Sequence, residues 1–185
     1  LKDGSVVTVN KMQHFDKNKT DLKTVREIKH QNKINLLERF NEKFLDAVLL
    51  DKDGKEIGKP DEGRMKILTG LPNKKAKIYG GISDEYLTKL KSGKDVKLIV
   101  NWGRGDFQKA ADTVIDAFEK YAEKDPDAIL VMGGDMKNEP ETLEKFQLVS
   151  SKPKMKGRML FSEGWAPGKD WAMCGDVALL PSRFA

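Results

Sequence analysis

A single cysteine, Cys174, among 185 residues excludes an internal disulfide, and two histidines leave little material for metal or acid–base chemistry. Met173 and Gly175 flank Cys174 and point to packing rather than reactivity. His14 and His30 stand among Lys, Gln and Asn on expected surfaces, without metal-ligand or base-like company. Neither a zinc site nor a Ser-His-Asp triad is expected. No stretch approaches 18 uninterrupted apolar residues, so no membrane-spanning helix is expected. The opening Leu1-Lys2-Asp3-Gly4 has none of the pattern of a signal peptide. Internal repeats and low-complexity tracts are absent, as is an arginine-rich stripe with aromatics between. The net charge of +5 and pI of 9.1 arise from 34 basic residues set against 29 acidic ones. They are interleaved, as in Glu123-Lys124-Asp125, which reads as a solvated lysine-rich surface and not as a nucleic-acid footprint.

What is present is a composition of soluble type, 38% hydrophobic and 34% charged, with room for one ordinary domain and a small appendage. In residues 1–95, Ser5 to Val9 reads as a short β-branched strand. Leu22, Val25, Ile28, Leu36, Leu37, Phe40 and Phe44 recur at helical spacing, which predicts a helix from Asp21 to about Phe44. Thr20 or Asp21 caps it, lysines cover its outer face, and the polar stretch from Lys29 to Lys33 threatens its continuity. Phe44 to Leu50 and Lys55 to Ile57, joined through Asp53-Gly54, predict a hairpin. Gly58 to Gly81 reads as loop, and Ser83 to Leu90 as a short helix capped by Ser83.

From Val96 the pattern becomes regular. Short apolar runs at Val96–Asn101, Ala128–Met132, Gly157–Phe161 and Val177–Leu180 predict strands buried on both faces. Between them lie a helix from Phe107 to about Lys124 capped by Asp106, a second opened by Pro140 and carrying Leu143, Phe146, Leu148 and Val149, and a short turn within Trp165–Gly175. This alternation predicts an α/β fold, a Rossmann-like parallel sheet with flanking helices, over residues 96–185. Residues 1–95 form a preceding helix-and-hairpin region, read as an insertion or interdomain segment. The chain stops five residues after an apolar strand, so it is expected to be a fragment of something longer.

Ligands in such sheets bind at the carboxyl ends of the strands. Gly103-Arg104-Gly105, Gly133-Gly134-Asp135, Gly164 with Pro167-Gly168, and Pro181-Ser182-Arg183 all fall there. Glycines let backbone approach a ligand and leave helix N-terminal amides open to anions. Arg104 and Lys109 bracket the expected start of the first helix, a planar fork and a compact charge suited to a diphosphate. Each piece has a plainer reading: a glycine turn, a solvated lysine, and, for Trp165 and Trp171, packing. No G-x-G-x-x-G follows the first strand, which argues against a dinucleotide enzyme.

The order of these segments carries a resemblance. Arg104-Gly105-Asp106-Phe107-Gln108-Lys109-Ala110 resembles the Arg-Leu-x-x-Gln-Lys-Gly segment of starch and glycogen synthases. Leu130 to Asp135 is similar to their Leu-x-x-Gly-x-Gly-Asp loop. Asp176 to Phe184 is similar to their Ser-Asp-x-x-Leu-x-Pro-Ser-Arg-Phe strand, and Asn32-Lys33 to a lysine-rich helix preceding the domain. The resemblance implies the nucleotide-sugar-binding half of a cytoplasmic GT-B retaining glucosyltransferase. Such an enzyme moves glucose from ADP- or UDP-glucose to an α-1,4-glucan without cofactor or metal, and has no nucleic-acid or membrane partner. It implies catalytic roles for Arg104 and Lys109 on the donor diphosphate, and donor-binding roles for Gly103, Gly133, Gly134, Asp135, Ser182 and Arg183. The rest of a parent chain, with a partner domain carrying a Lys-Thr-Gly-Gly loop, is implied too, so this chain alone is expected to be inactive. Departures are visible. Ala185 stands where the family has Glu, Ala110 where it has Gly, and Ala172-Met173 where an aromatic usually stacks near the base. The alternative reading is a degenerate, non-catalytic domain that binds nucleotide, glucan or a protein partner.

Overall fold

The computed structural model describes residues 6–7, 13, 16, 20–40, 49–50, 56–58, 77–163 and 168–183. The expectations placed on His14, the Asp53-Gly54 turn, Gly164, Trp165, Pro167 and Ala185 lie outside them. A small antiparallel sheet has the order β1 (Val6–Val7), β2 (Leu49–Leu50), β3 (Glu56–Gly58). Pairing of Leu49 with Gly58 and Leu50 with Glu56 is that of the expected hairpin.

The larger sheet positions the site. It contains β4 (Lys77–Ile82), β5 (Lys97–Arg104), β6 (Ala128–Asp135), β7 (Arg158–Glu163) and β8 (Val177–Ala178), in the order β4-β7-β6-β5-β8. All neighbours are parallel except β4, which runs antiparallel to β7. The helices are α1 (Leu22–Phe40), α2 (Asp84–Lys91), α3 (Ala111–Ala122), α4 (Pro140–Ser151) and α5 (Gly168–Cys174). Successive strand residues point to opposite faces, so each apolar run feeds two cores. Leu98, Val100, Ile129, Val131 and Leu160 pack with Leu36, Leu37, Leu87, Leu90, Trp171 and Cys174 from α1, α2 and α5. Ile99, Leu130, Met132, Met159 and Phe161 pack with Val114, Ile115, Phe118, Phe146 and Val149 from α3 and α4. The result is an α/β fold with a mixed, mostly parallel sheet flanked by helices.

The strand order locates a crevice before any side chain is considered. The chain steps from β5 to β6 to β7 in one direction with α3 and α4 on one face. It then returns past β5 to β8 with α5 on the other face. A reversal of direction with crossovers of one hand must change face in this way. The β5–β8 boundary is therefore the topological switch point, where the loops leaving two adjacent strands diverge.

Several local expectations are corrected. Lys77–Gly81, read as loop, belongs to β4, hidden in sequence by Gly80 and Gly81. Gly80 has φ 67°, and a Cβ there would lie 2.4 Å from the Met159 carbonyl oxygen, so only glycine lets β4 approach β7. The glycines after Asn101 and Met132 do not break their strands; Gly103 pairs with Gly134 and Arg104 with Asp135. Val177, read as buried, is exposed on the edge strand β8; Leu180, also read as buried, is exposed beyond the end of β8, and Leu148 is exposed on α4.

Helix α1 runs unbroken through Lys29–Lys33 because Lys29, His30, Asn32 and Lys33 have partners across the interface, while exposed Gln31 bonds Asn35 on the same helix. Asp21 caps it, its carboxylate accepting from the Thr24 amide and hydroxyl. Lys29 Nζ donates to the Gly175 carbonyl at 2.7 Å, and Asn32 Nδ2 to those of Gln13 and Met173. His30 Nε2 lies 2.9 Å from the Leu90 carbonyl oxygen, so this histidine is an interface residue rather than a surface one. Lys33 is buried, donating to the Val96 carbonyl and pairing with Asp176 at 2.7 Å. Arg158 does comparable work below α3. Its guanidinium donates to the carbonyls of Ala122, Asp125 and Ala128, and so gives the last carbonyl of α3 a partner that a helix C-terminus otherwise lacks.

Candidate functional site

At the switch point a crevice of about 150 Å³ is lined by Asn101, Trp102, Gly103, Arg104, Lys109, Ala111, Met136, Leu180 and Pro181. It is made by the carboxyl end of β5, the turn that follows it, the residue after β6, and the segment leaving β8. Asn101 is buried at the end of an apolar run, and its Nδ2 donates to the Leu179 carbonyl at 2.7 Å. Together with the bond from the Leu179 amide to the Val100 carbonyl, this stitches the segment leaving β8 onto β5. A buried polar side chain of this kind is normally satisfied, and here its satisfaction forms one wall of the crevice.

The backbone under Arg104 is set by two close approaches. A Cβ on Gly134 would stand 2.0 Å from the Gly103 carbonyl oxygen, and one on Gly105 would stand 2.3 Å from the Asp135 carbonyl oxygen. The Gly105 amide donates to that same Asp135 oxygen at 2.7 Å. Gly134 thus serves the site by letting two backbones touch. Gly168, at the start of α5, lies flush on the Trp102 indole, where a Cβ would fall 2.2 Å from its Nε1.

The segment that follows departs from the expected helix. Phe107–Lys109 form a single 3-10 turn, and α3 begins only at Ala111. Asp106 caps the turn, its Oδ1 accepting from the Lys109 amide at 3.0 Å, and so does not cap α3. Between turn and helix sits Ala110 with φ 47°, a left-handed conformation that costs a residue with a Cβ about 1–2 kcal/mol. This gives a physical reason why glycine suits the position. Phe107, expected on the buried helix face, is instead exposed.

The structure therefore brings Gly103, Arg104 and Lys109 together at one crevice. Arg104 is mostly exposed, with its Nε 3.7 Å from Asp106 Oδ2, a pair loose enough to exchange for a ligand. Lys109 is half-buried on the crevice wall and makes no ion pair among the described residues. Gly133, Gly134 and Asp135 end β6 outside the lining. Asp135 is exposed, and its Oδ1 accepts from the Lys137 amide. Ser182 is exposed just beyond Pro181. Arg183 turns onto the 3-10 turn: it donates to the Phe107 carbonyl and the Asp112 carboxylate, and its guanidinium stacks 3.9 Å from the Phe107 ring centre. Trp171 is buried against Phe40, a packing role. Sequence reasoning missed Asn101, Trp102 and Met136. The available signals were a polar residue closing an apolar run and a tryptophan preceding the glycine.

A larger open cleft of about 720 Å³ lies at the opposite end of β5, lined by Arg26, Glu27, Lys29, His30, Lys33, Gly93, Asp95, Lys97 and Asp176. Three carboxylates stand among its four Lys and Arg side chains, with Lys33 on Asp176 and Lys97 on Asp95. The switch-point crevice differs in having two cations in its lining and no carboxylate among its described residues.

No family model matches the chain, and no curated protein does. Among solved structures, a glycosyltransferase from Rickettsia africae ESF-5 is similar with a TM-score of 0.40 and 14% identity. The match covers 56% of this chain and 30% of that one, so the chain spans under a third of that protein's length. A likeness this slight establishes neither family nor activity. What stands is an α/β protein with a mostly parallel sheet, a two-cation crevice at its switch point, and a weak structural match to a glycosyltransferase fold.

Proposed function

We propose that the crevice between β5 and β8 binds the diphosphate of a nucleotide-sugar, and that the chain is the donor-binding part of a GT-B retaining glucosyltransferase of the starch or glycogen synthase type. The observation that carries this reading is the convergence of Arg104 and Lys109 on one crevice at the switch point. A volume of about 150 Å³ is below the roughly 300 Å³ at which small-molecule sites begin. The crevice suits the diphosphate, with base and sugar extending across its rim.

Two cations flanking a diphosphate stabilise charge as the bond from the sugar carbon to the leaving oxygen lengthens. This is electrostatic preorganisation, and loss of one such contact costs about 2–4 kcal/mol of barrier. Donor (ADP- or UDP-glucose) and acceptor (an α-1,4-glucan) follow the same reading, with residues 96–185 as the donor domain and a second domain closing over it.

Calorimetric titration of the chain with ADP and UDP tests the binding step. Arg104→Ala and Lys109→Ala should each weaken binding by about tenfold or more, the loss of one charge-assisted hydrogen bond. Unaltered affinity in both variants contradicts the assignment. Ala185, where the resembled family has Glu, favours a second reading, nucleotide binding without transfer. Glucan elongation by a longer protein containing this chain separates the two: binding without elongation selects the second.

A further inference from the structure

We infer that Arg183 is a positioning residue that holds Lys109 at the crevice, and not itself a ligand of the anion. The inference rests on the nucleotide reading of that crevice. Arg183 Nη1 donates to the Phe107 carbonyl at 2.6 Å, and Nη2 lies 2.7 Å from both oxygens of Asp112. Its amide donates to the Gln108 carbonyl at 2.8 Å, and its guanidinium carbon lies over the Phe107 ring, 3.9 Å from the ring centre. Every one of these partners belongs to the 3-10 turn or to the first turn of α3. One residue from the segment leaving β8 therefore clasps the segment leaving β5 across the switch point.

Charge argues the same way. The Asp112 carboxylate neutralises Arg183 at contact distance, with both side chains about seven-tenths withdrawn from solvent. Arg104 meets only a loose carboxylate at 3.7 Å, and Lys109 meets none among the described residues. The positive potential that attracts an anion thus comes from Arg104 and Lys109, while Arg183 spends its charge on the clasp. The clasp matters because the turn is short and ends in the left-handed Ala110. Three residues with one internal cap from Asp106 have little stability of their own. Holding the Phe107 and Gln108 carbonyls from outside orders the turn before ligand arrives, which removes an ordering cost from binding.

The two roles for Arg183 predict opposite signs for one substitution. Asp112→Asn removes the partner charge. If Arg183 were an anion ligand, unmasking it would tighten binding of ADP or inorganic pyrophosphate. If Arg183 is a clasp, the same change loosens the turn and weakens binding. Titration of the 185-residue chain with both probes should show Asp112→Asn and Arg183→Met each weakening affinity by about tenfold. Arg183→Lys, which keeps the charge without the fork, should recover only part of it. In a Lys109→Ala background, Arg183→Met should have almost no further effect, since the clasp acts through that lysine. Amide hydrogen exchange across residues 107–110 should quicken in Arg183→Met and remain unchanged in Lys109→Ala. Tighter binding in Asp112→Asn, or full additivity with Lys109→Ala, overturns the inference. Unchanged exchange in Arg183→Met overturns the clasp itself. Failure of the unsubstituted chain to take either probe, with the exchange difference present, refutes instead the nucleotide reading and with it the role toward an anion.

Discussion

Adding one methyl group at either member of the Gly103–Gly134 pair should have opposite consequences for stability. The two residues face each other across β5 and β6. At Gly134 an added Cβ would stand 2.0 Å from the Gly103 carbonyl oxygen, whereas at Gly103 it would meet nothing within 4 Å. Ordinary carbon–oxygen contact begins near 3.4 Å, so Gly134→Ala must force the strand ends apart by more than 1 Å. The obstacle is backbone and cannot rotate away. Overpacking of that kind costs about 1–3 kcal/mol. The positive φ of 156° at Gly134 adds strain, and a total near 3 kcal/mol follows from a penalty of about 1 kcal/mol for a Cβ there. Gly103→Ala removes only unfolded-state freedom and should stabilise by about 0.4–1 kcal/mol. Urea denaturation followed by circular dichroism should therefore separate the two variants by about 3–4 kcal/mol. Equal midpoints would refute the close approach of the two backbones. Because the displaced strand end carries Arg104, Gly134→Ala should also weaken anion binding, by about tenfold where that charge-assisted contact is lost.

Three further outcomes are expected. Arg158→Met strands the carbonyls of Ala122 and Ala128, leaves that of Asp125 with the Ala128 amide alone, and should destabilise by about 2–5 kcal/mol in the same denaturation assay. Ala110→Gly should fall within about 0.5 kcal/mol of the unsubstituted chain, because relief of the left-handed strain offsets the lost methyl burial and added chain entropy. The same change at exposed Ala117 within α3 should cost about 1 kcal/mol. Burial raises the Asp95 carboxyl, but Lys33 and Lys97 outweigh it and hold it below its usual 3.8. A depressed carboxyl contributes fully above its unfolded value and loses that contribution as pH falls through the folded one. Asp95→Asn should consequently flatten the fall in melting temperature below about pH 4, by an amount equivalent to less than about 1 kcal/mol for so exposed a group.

Much of the central sheet was legible in the chain because β5, β6 and β7 are buried on both faces and show as plain apolar runs. Helices α3 and α4 were legible by spacing, though the 3-10 turn displaced the start of α3 and left Phe107 exposed. Strand β4 was hidden because its close packing demands Gly80, which reads as loop in isolation. His30 reads as surface, and Lys33 as part of a polar stretch that threatens the helix, because their satisfaction depends on Val96, Asp176 and Leu90, all distant in sequence. Of the candidate site, Arg104 and Lys109 were legible from their order and reach one crevice. The contacts of Arg183 were not, since nothing local in Pro181-Ser182-Arg183 announces Asp112 or the Phe107 carbonyl. Partners brought together only by strand order leave no periodic trace.

The most direct test of the two-cation crevice is to locate a bound diphosphate residue by residue. Amide chemical-shift mapping of the isotopically labelled chain during titration with ADP should concentrate its changes on residues 102–111 and 179–183. They should vanish in the Arg104→Ala/Lys109→Ala double variant. Shifts centred instead on Arg26, Lys29 and Lys97 at the opposite end of β5, or no saturable shifts at all, would contradict the account.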